Sequence, residues 1–209
     1  ITSLAGSLII CNAVLDASQT KLLLNVSDMI LGATYTLNVN NVTDQSVAAN
    51  RIADNSQTQF TAVSYTATDI GSPSIAGGVS AVAGGYNITA GGTNVFGTGD
   101  QFTFNYQQGV GDFGFKVGVA GLTLADAWSK AGLMARETLL ANSRYPASFA
   151  TPSGSGSYFQ WRATVGGATL NSGAYPVNYP NTWLRLKRAG NLFTGFASVD
   201  GDAWYQLGS

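Results

Sequence analysis

The chain contains no histidine and a single cysteine, and ten of its eleven acidic residues are aspartate, leaving Glu137 as its one glutamate. Without histidine, Ser–His and Cys–His catalytic pairs and imidazole metal sites are excluded. A lone Cys11 cannot close an internal disulfide. Its setting, Leu8-Ile9-Ile10-Cys11-Asn12-Ala13-Val14, reads as a strand in which the thiol is a small buried hydrophobe rather than a reactive group. Aspartate favours turns where glutamate favours helices, so the acidic bias argues against helical content. Charge is scarce: 10% of residues are ionic, against roughly 25% in an average globular chain. A net charge of −1 gives no basis for nucleic-acid or membrane-surface binding by the whole chain. No apolar run reaches the roughly 18 residues of a membrane span, which argues against membrane insertion.

What is present is Gly, Ser, Thr, Asn and Ala, with 11% aromatic and 45% hydrophobic residues. That is too apolar for disorder and fits a secreted or cell-surface β protein. No signal peptide opens the chain, so any export signal is expected to lie outside this sequence. Its 209 residues suffice for one large β domain or two modest ones.

Strand patterns and turns alternate along the chain. Thr20–Val26 and Thr34–Val39 read as strands, with turns around Ala17-Ser18-Gln19 and Asp28–Gly32. Residues 65–74, punctuated by Gly71 and Pro73, read as a linker between a front domain (1–64) and a back domain (75–209). The front part holds four acids and two bases, and the rest, counting the linker's Asp69, seven acids and eight bases. Further on, Gly85–Gly92 reads as a strand ending in a glycine turn, and Asp112–Val119 as another strand. Gln101–Gln107 alternates most cleanly, with Phe102, Phe104 and Tyr106 inward and Gln101, Thr103 and Asn105 outward. One or two short helices near Asp126 or Leu139 are the only helical candidates. The predicted class is all-β.

Two resemblances sharpen this. Gly32-Ala-Thr-Tyr35-Thr-Leu-Asn-Val39, with Val42-Thr43-Asp44 and Asn50-Arg51-Ile52, resembles the immunoglobulin-like repeats of bacterial surface proteins. The likeness implies a partial immunoglobulin-like sandwich, truncated at its front edge, with Tyr35 near a sandwich corner. The back part carries Asp69-Ile-Gly71, Gly99-Asp-Gln-Phe102, Trp128–Glu137, Phe159-Gln-Trp-Arg162, Trp183-Leu-Arg-Leu186, Gly190-Asn191 and Ser198–Trp204. Together these resemble concanavalin-like, laminin-G-like β-sandwich domains of large bacterial extracellular proteins. That likeness implies a jelly-roll sandwich, often with a carbohydrate-binding face and without a fixed catalytic apparatus, and a further strand is expected after Leu207-Gly208-Ser209.

Candidate binding residues follow from strand alternation. In Trp128–Glu137, period two places Trp128, Lys130, Gly132, Met134 and Arg136 on one face. Gln160 and Arg162 oppose Phe159 and Trp161, while Arg185 and Lys187 oppose Leu184 and Leu186. With Gln101, Asn105 and Trp183, these side chains would form one surface of amides, cations and aromatics. Amides suit sugar hydroxyls, guanidinium forks suit carboxylate or sulfate, and indole rings suit sugar faces. The expected function is non-catalytic recognition of polysaccharide, with acidic chains favoured.

Set beside it is a plainer reading: a solvated outer face with Arg136 and Arg162 paired to Asp126, Glu137 or Asp200. Trp161 and Trp204 read as core, Trp128 and Trp183 as platforms, and Tyr175 and Tyr179 sit on a proline-held loop. Asp100, Asp112, Asp126, Asp200 and Asp202 lie at turns, where a structural Ca²⁺ is one alternative and turn capping the other. Glycoside hydrolysis needs two facing carboxylates, and Glu137 has no evident partner, so enzymatic activity is not expected. A second functional class is a spacer or adhesive unit of a surface protein or fibre, joined to neighbouring domains or identical copies through open strand edges.

Overall fold

Thr-, Val- and aromatic-rich segments with period-two patterning favour a pleated, half-buried surface. The chain follows that preference: seventeen strands and no helix occur among the described residues. The computed structural model describes residues 1–2, 6–15, 19, 22–30, 32–82, 84–152 and 154–209. The chain divides into two compact units, Ile1–Thr66 with Ala83–Gly85, and Ala67–Val82 with Tyr86–Ser209.

In the first unit, β1 (Ile10–Leu15) pairs antiparallel with β2 (Leu22–Val26), and β3 (Thr34–Val39) with β4 (Ser56–Thr61). Leu8, Tyr35 and Ala62 form its core. The Tyr35 ring stacks on Phe60 at 5.7 Å, and its hydroxyl accepts the Ile30 N–H at 2.9 Å. Cys11 is exposed, contrary to the buried thiol the sequence suggested. The reason is that, among the described residues, β1 pairs with β2 alone as a two-stranded ribbon, and all six of its residues are exposed. Ala17, Ser18, Thr20 and Lys21, part of a predicted turn and strand start, lie outside the described residues.

The second unit contains β5 (Thr66–Ile70), β6 (Gly78–Val82), β7 (Gly85–Thr89), β8 (Asn94–Phe96) and β9 (Gly99–Tyr106). It continues with β10 (Phe113–Val119), β11 (Ala131–Met134), β12 (Tyr145–Ala150), β13 (Ser157–Arg162) and β14 (Leu170–Tyr175). Last come β15 (Thr182–Ala189), β16 (Leu192–Ser198) and β17 (Tyr205–Gly208). Two four-stranded sheets, ordered β10-β15-β16-β17 and β11-β12-β13-β14, sandwich a core of Phe159, Leu184, Leu186, Ala197 and Leu207. A third sheet, β5-β9-β8, brings Val95 and Phe102 against Tyr145, Ala147, Phe149 and Tyr158. These four belong to β12 and β13, so the β11–β14 sheet is covered on both faces.

Residues 66–70, read as linker, are strand. Asp69 anchors them by accepting the Gly77 N–H and the Thr103 hydroxyl at 2.9 and 2.8 Å, and Ile70 is buried. The segments near Asp126 and Leu139 are turns rather than helices. The long strand expected over Trp128–Glu137 reduces to Ala131–Met134. Asp126 interrupts its front by accepting the Trp128 N–H at 2.7 Å, an Asx-type turn.

Candidate functional site

The nine predicted site residues do not share a surface. Gln101 and Asn105 are on β9, Lys130 and Arg136 flank β11, Gln160 and Arg162 are on β13, and Trp183 and Arg185 are on β15. The covering of β13 by β8 and β9 takes several of them out of contention.

Arg162 is the clearest correction. Its side chain has 0% exposure, and all of its nitrogens are engaged. Nη1 and Nη2 grip Asp100 at 2.8 and 2.7 Å, and the same nitrogens reach the carbonyls of Ser143 and Gly97 at 3.1 and 3.2 Å. Nε donates to the Gly167 carbonyl at 3.1 Å, and the guanidinium lies over the Tyr145 ring at 5.0 Å. Arg136 is likewise buried. It donates to Asp100 at 3.3 Å and to the Thr138 and Leu140 carbonyls at 2.8 and 2.5 Å, with its guanidinium over Phe102. Burial pulls the Arg136 pKa below its ordinary value, and the Asp100 charge opposes that pull. One carboxylate thus serves two guanidiniums, fastening the loops at Gly97, Thr138–Arg144 and Gly167 to the sheet. This is a structural clamp. Both side chains are buried, and neither takes the partners Asp126, Glu137 or Asp200.

Gln101 is tied down as well, donating to the Gly71 and Ser72 carbonyls and accepting the Thr93 N–H. Asn105 is half-buried on the same strand. Trp183 is half-buried, its ring within 3.2 Å of where a Cβ on Gly118 would lie and 3.0 Å of the same point at Gly201. A side chain at either position would crowd the indole, so Trp183 is packed rather than a platform. Trp161 stacks on Phe159 against the core, Tyr175 stacks on Tyr205, and the Tyr179 hydroxyl donates to the Thr151 carbonyl.

Of the aspartates proposed for Ca²⁺, the carboxylates of Asp100, Asp112, Asp126 and Asp200 accept hydrogen bonds within the chain. Asp200 accepts from the Ser198 hydroxyl and the Asp202 and Ala203 N–H groups, which hold its carboxyl below the usual pKa. Asp112 accepts the Gly190 N–H at 2.7 Å. Among the described residues no group of three potential metal ligands converges. Glu137 forms a two-point ion pair with Arg144 at 2.8 and 2.6 Å on the surface.

The remaining candidates do come together. Trp128 and Lys130, with Gln160 behind them, line an open cavity of about 430 Å³ with Asn94, Phe96, Ser155, Tyr158, Asn171 and Gly173. Trp128 is 59% exposed and Phe96 49%, so two aromatic faces stand at its mouth. The Lys130 ammonium sits 5.4 Å from the Phe96 centroid and donates to Asn94 Oδ1 and the Val95 carbonyl at 2.7 and 2.8 Å. An ammonium has three donors, of which these bonds engage two among the described residues. Desolvation lowers the Lys130 pKa to about 8, with Asp100 acting in the other direction. Gln160 is buried and fixed by bonds from Nε2 to the Val95 carbonyl and the Tyr145 hydroxyl at 2.8 and 2.5 Å. Burial also pushes the Tyr158 phenol well above its ordinary pKa.

The sequence reading missed Asn94, Phe96, Tyr158 and Asn171. The first two belong to a three-residue strand after Gly91-Gly92, too short to show a period. Tyr158 and Asn171 are brought to the cavity by the β12-β13-β14 pairing, a long-range register with no local signal. No family model matches the chain, and neither a curated protein nor a solved structure matches it.

Proposed function

We propose that the chain is a non-catalytic carbohydrate-binding module of a large secreted or cell-surface bacterial protein, its sugar site being the Trp128–Lys130 cavity. The observation that carries this reading is the pairing of exposed aromatic faces with fixed amides in one open cavity. Its size lies in the roughly 300–1,000 Å³ range of small-ligand sites. An indole gives a sugar ring an apolar surface without requiring hydrogen bonds, while Asn94, Asn171 and Lys130 offer partners for hydroxyls. The lining carries no carboxylate, so the facing acid pair of glycoside hydrolysis has no counterpart there. The sequence likeness to a partial immunoglobulin-like unit followed by a concanavalin-like jelly roll supports the same reading and an extracellular setting.

Affinity electrophoresis through gels containing neutral or acidic polysaccharides tests it. Retardation of the native chain on at least one polymer, lost in Trp128→Ala and Asn171→Ala, is the expected result. Unaltered migration through every polymer counts against the proposal.

A second reading has one observation in its favour. The β1–β2 ribbon exposes Ile10, Val14, Leu15, Leu22 and Leu23, an apolar strand pair suited to pairing within a surface fibre or with an identical copy. Sedimentation over a range of concentrations separates the two: reversible self-association abolished by Val14→Lys favours assembly, and a monomer throughout disfavours it.

A further inference from the structure

The opposite side of the sandwich carries a cationic surface that the cavity does not involve. In β15, Leu184 and Leu186 point into the core and Trp183, Arg185 and Lys187 point out. Pairing with β10 sets Lys116 directly across from Arg185 and Gly114 across from Lys187. Beside Lys116, Arg185, Lys187 and Gly114 line a second hollow of about 390 Å³ with Asp112, Phe113, Ala189 and Arg188, whose Nε donates to the Gly190 carbonyl at 2.8 Å and whose guanidinium lies over Phe193. Four of the chain's ten basic residues (Lys116, Arg185, Lys187 and Arg188) therefore gather on one end of one sheet. None of them forms an ion pair among the described residues.

Two features separate this from a merely solvated face. Arg185 is oriented in advance: its guanidinium lies 5.8 Å from the Phe196 centroid and 5.9 Å from that of Trp204, and Phe196 faces it across β16. Stacking fixes its plane without using its N–H donors, and no acceptor meets them among the described residues. In addition, like charges directly opposite in an antiparallel pair repel, so Lys116 against Arg185 costs stability unless an anion lies between them. Gly114 places no side chain on this face of β10, leaving open floor beside Lys187, whereas Gly118 is covered by the Trp183 indole.

We infer that this face binds a polysaccharide bearing carboxylate or sulfate groups, through Lys116, Arg185 and Lys187, with Arg188 adding positive charge at the sheet's end. Cations at alternate positions of one strand stand about 7 Å apart, which suits acidic groups repeated along a polymer better than a single small anion. A sugar chain also brings hydroxyls for Thr194, which lies opposite Lys187. Nucleic acid is less well matched, because Phe196 and Trp204 are occupied beneath Arg185 and offer no free face for base stacking. The ligand class overlaps that proposed for the cavity, but the residues do not, so the two stand or fall separately.

The test uses the full chain with heparin and polygalacturonate as probes, and neutral dextran, duplex DNA and phosphatidylserine vesicles as comparisons, titrated at several salt concentrations. Binding to heparin or polygalacturonate is expected at about 0.15 M salt, weakening steeply as screening increases. Lys116→Gln and Lys187→Gln should each weaken it about tenfold, the scale of one charge-assisted contact. Trp128→Ala should leave this binding unchanged, which separates it from the cavity. Lys116→Gln should also raise the melting temperature of the unliganded chain, because it removes the like-charge pair; a merely structural lysine would not behave so. The inference is overturned by no binding at physiological salt, by indifference to both lysine substitutions, or by equal or stronger binding to DNA or vesicles.

Discussion

At the scale of single residues, burial sorts the side chains that alternation had grouped. Arg162 and Arg136 carry the charge expected of a ligand site, yet both are spent on Asp100. Removing one partner of such a buried cluster leaves an uncompensated charge, at a cost of about 3–5 kcal/mol. Asp100→Ala should therefore lower the melting temperature sharply, while Glu137→Ala, breaking an exposed pair, should scarcely move it. Lys130 supplies the pH dependence. Its folded pKa, about 8, lies below the unfolded value of 10.5, so the native chain holds this proton less tightly than the unfolded one. Lys130 thus costs stability at neutral pH, and that cost is relieved as pH rises from about 8 towards 10.5. Sugar affinity should move the opposite way, declining above pH 8 as the ammonium loses its proton, and a titration series from pH 6 to 9 reads this directly. Period two placed Gln160 and Arg162 opposite Phe159 and Trp161 without error; what it could not reveal was the third sheet lying over the polar side. Asp100 gave the one available hint, since aspartate is depleted in strands.

At the scale of elements, strands whose two faces differ in chemistry were legible and ribbons without a cover were not. β3 runs over Thr34–Val39 as its alternation indicates, and β15 turns Leu184 and Leu186 inward and Arg185 and Lys187 outward. β1, in contrast, has the apolar composition of a core strand but among the described residues pairs with β2 alone, and Cys11 is exposed. A thiol reagent should modify Cys11 in the native chain as fast as in the denatured one; strong protection in the native state would contradict that placement. β13 shows the converse. Phe159 is buried between the two four-stranded sheets, and Phe159→Ala should cost about 3–5 kcal/mol by chemical denaturation. The Trp128–Glu137 segment failed as a strand because Asp126 turns the chain at its start and the Arg136 side chain folds back onto the carbonyls of Thr138 and Leu140.

At the scale of the whole molecule, the all-β class followed from composition, and the gathering of residues into sites did not. Asn94, Trp128, Tyr158 and Asn171 come from four separate stretches: β13–β14 pairing joins the last two, and tertiary packing of β8 and of the turn before β11 adds the first two. The second unit holds both candidate surfaces, the cavity and the cationic face, on its own residues. Tryptophan fluorescence offers the most direct check on the cavity, because a sugar ring seated on Trp128 moves an exposed indole out of water. Titrating the native chain and Trp128→Ala against a panel of neutral and acidic oligosaccharides should give a saturable blue shift in the native chain and none in the variant. A flat response to every sugar, or equal saturation in both proteins, would contradict a binding site at Trp128.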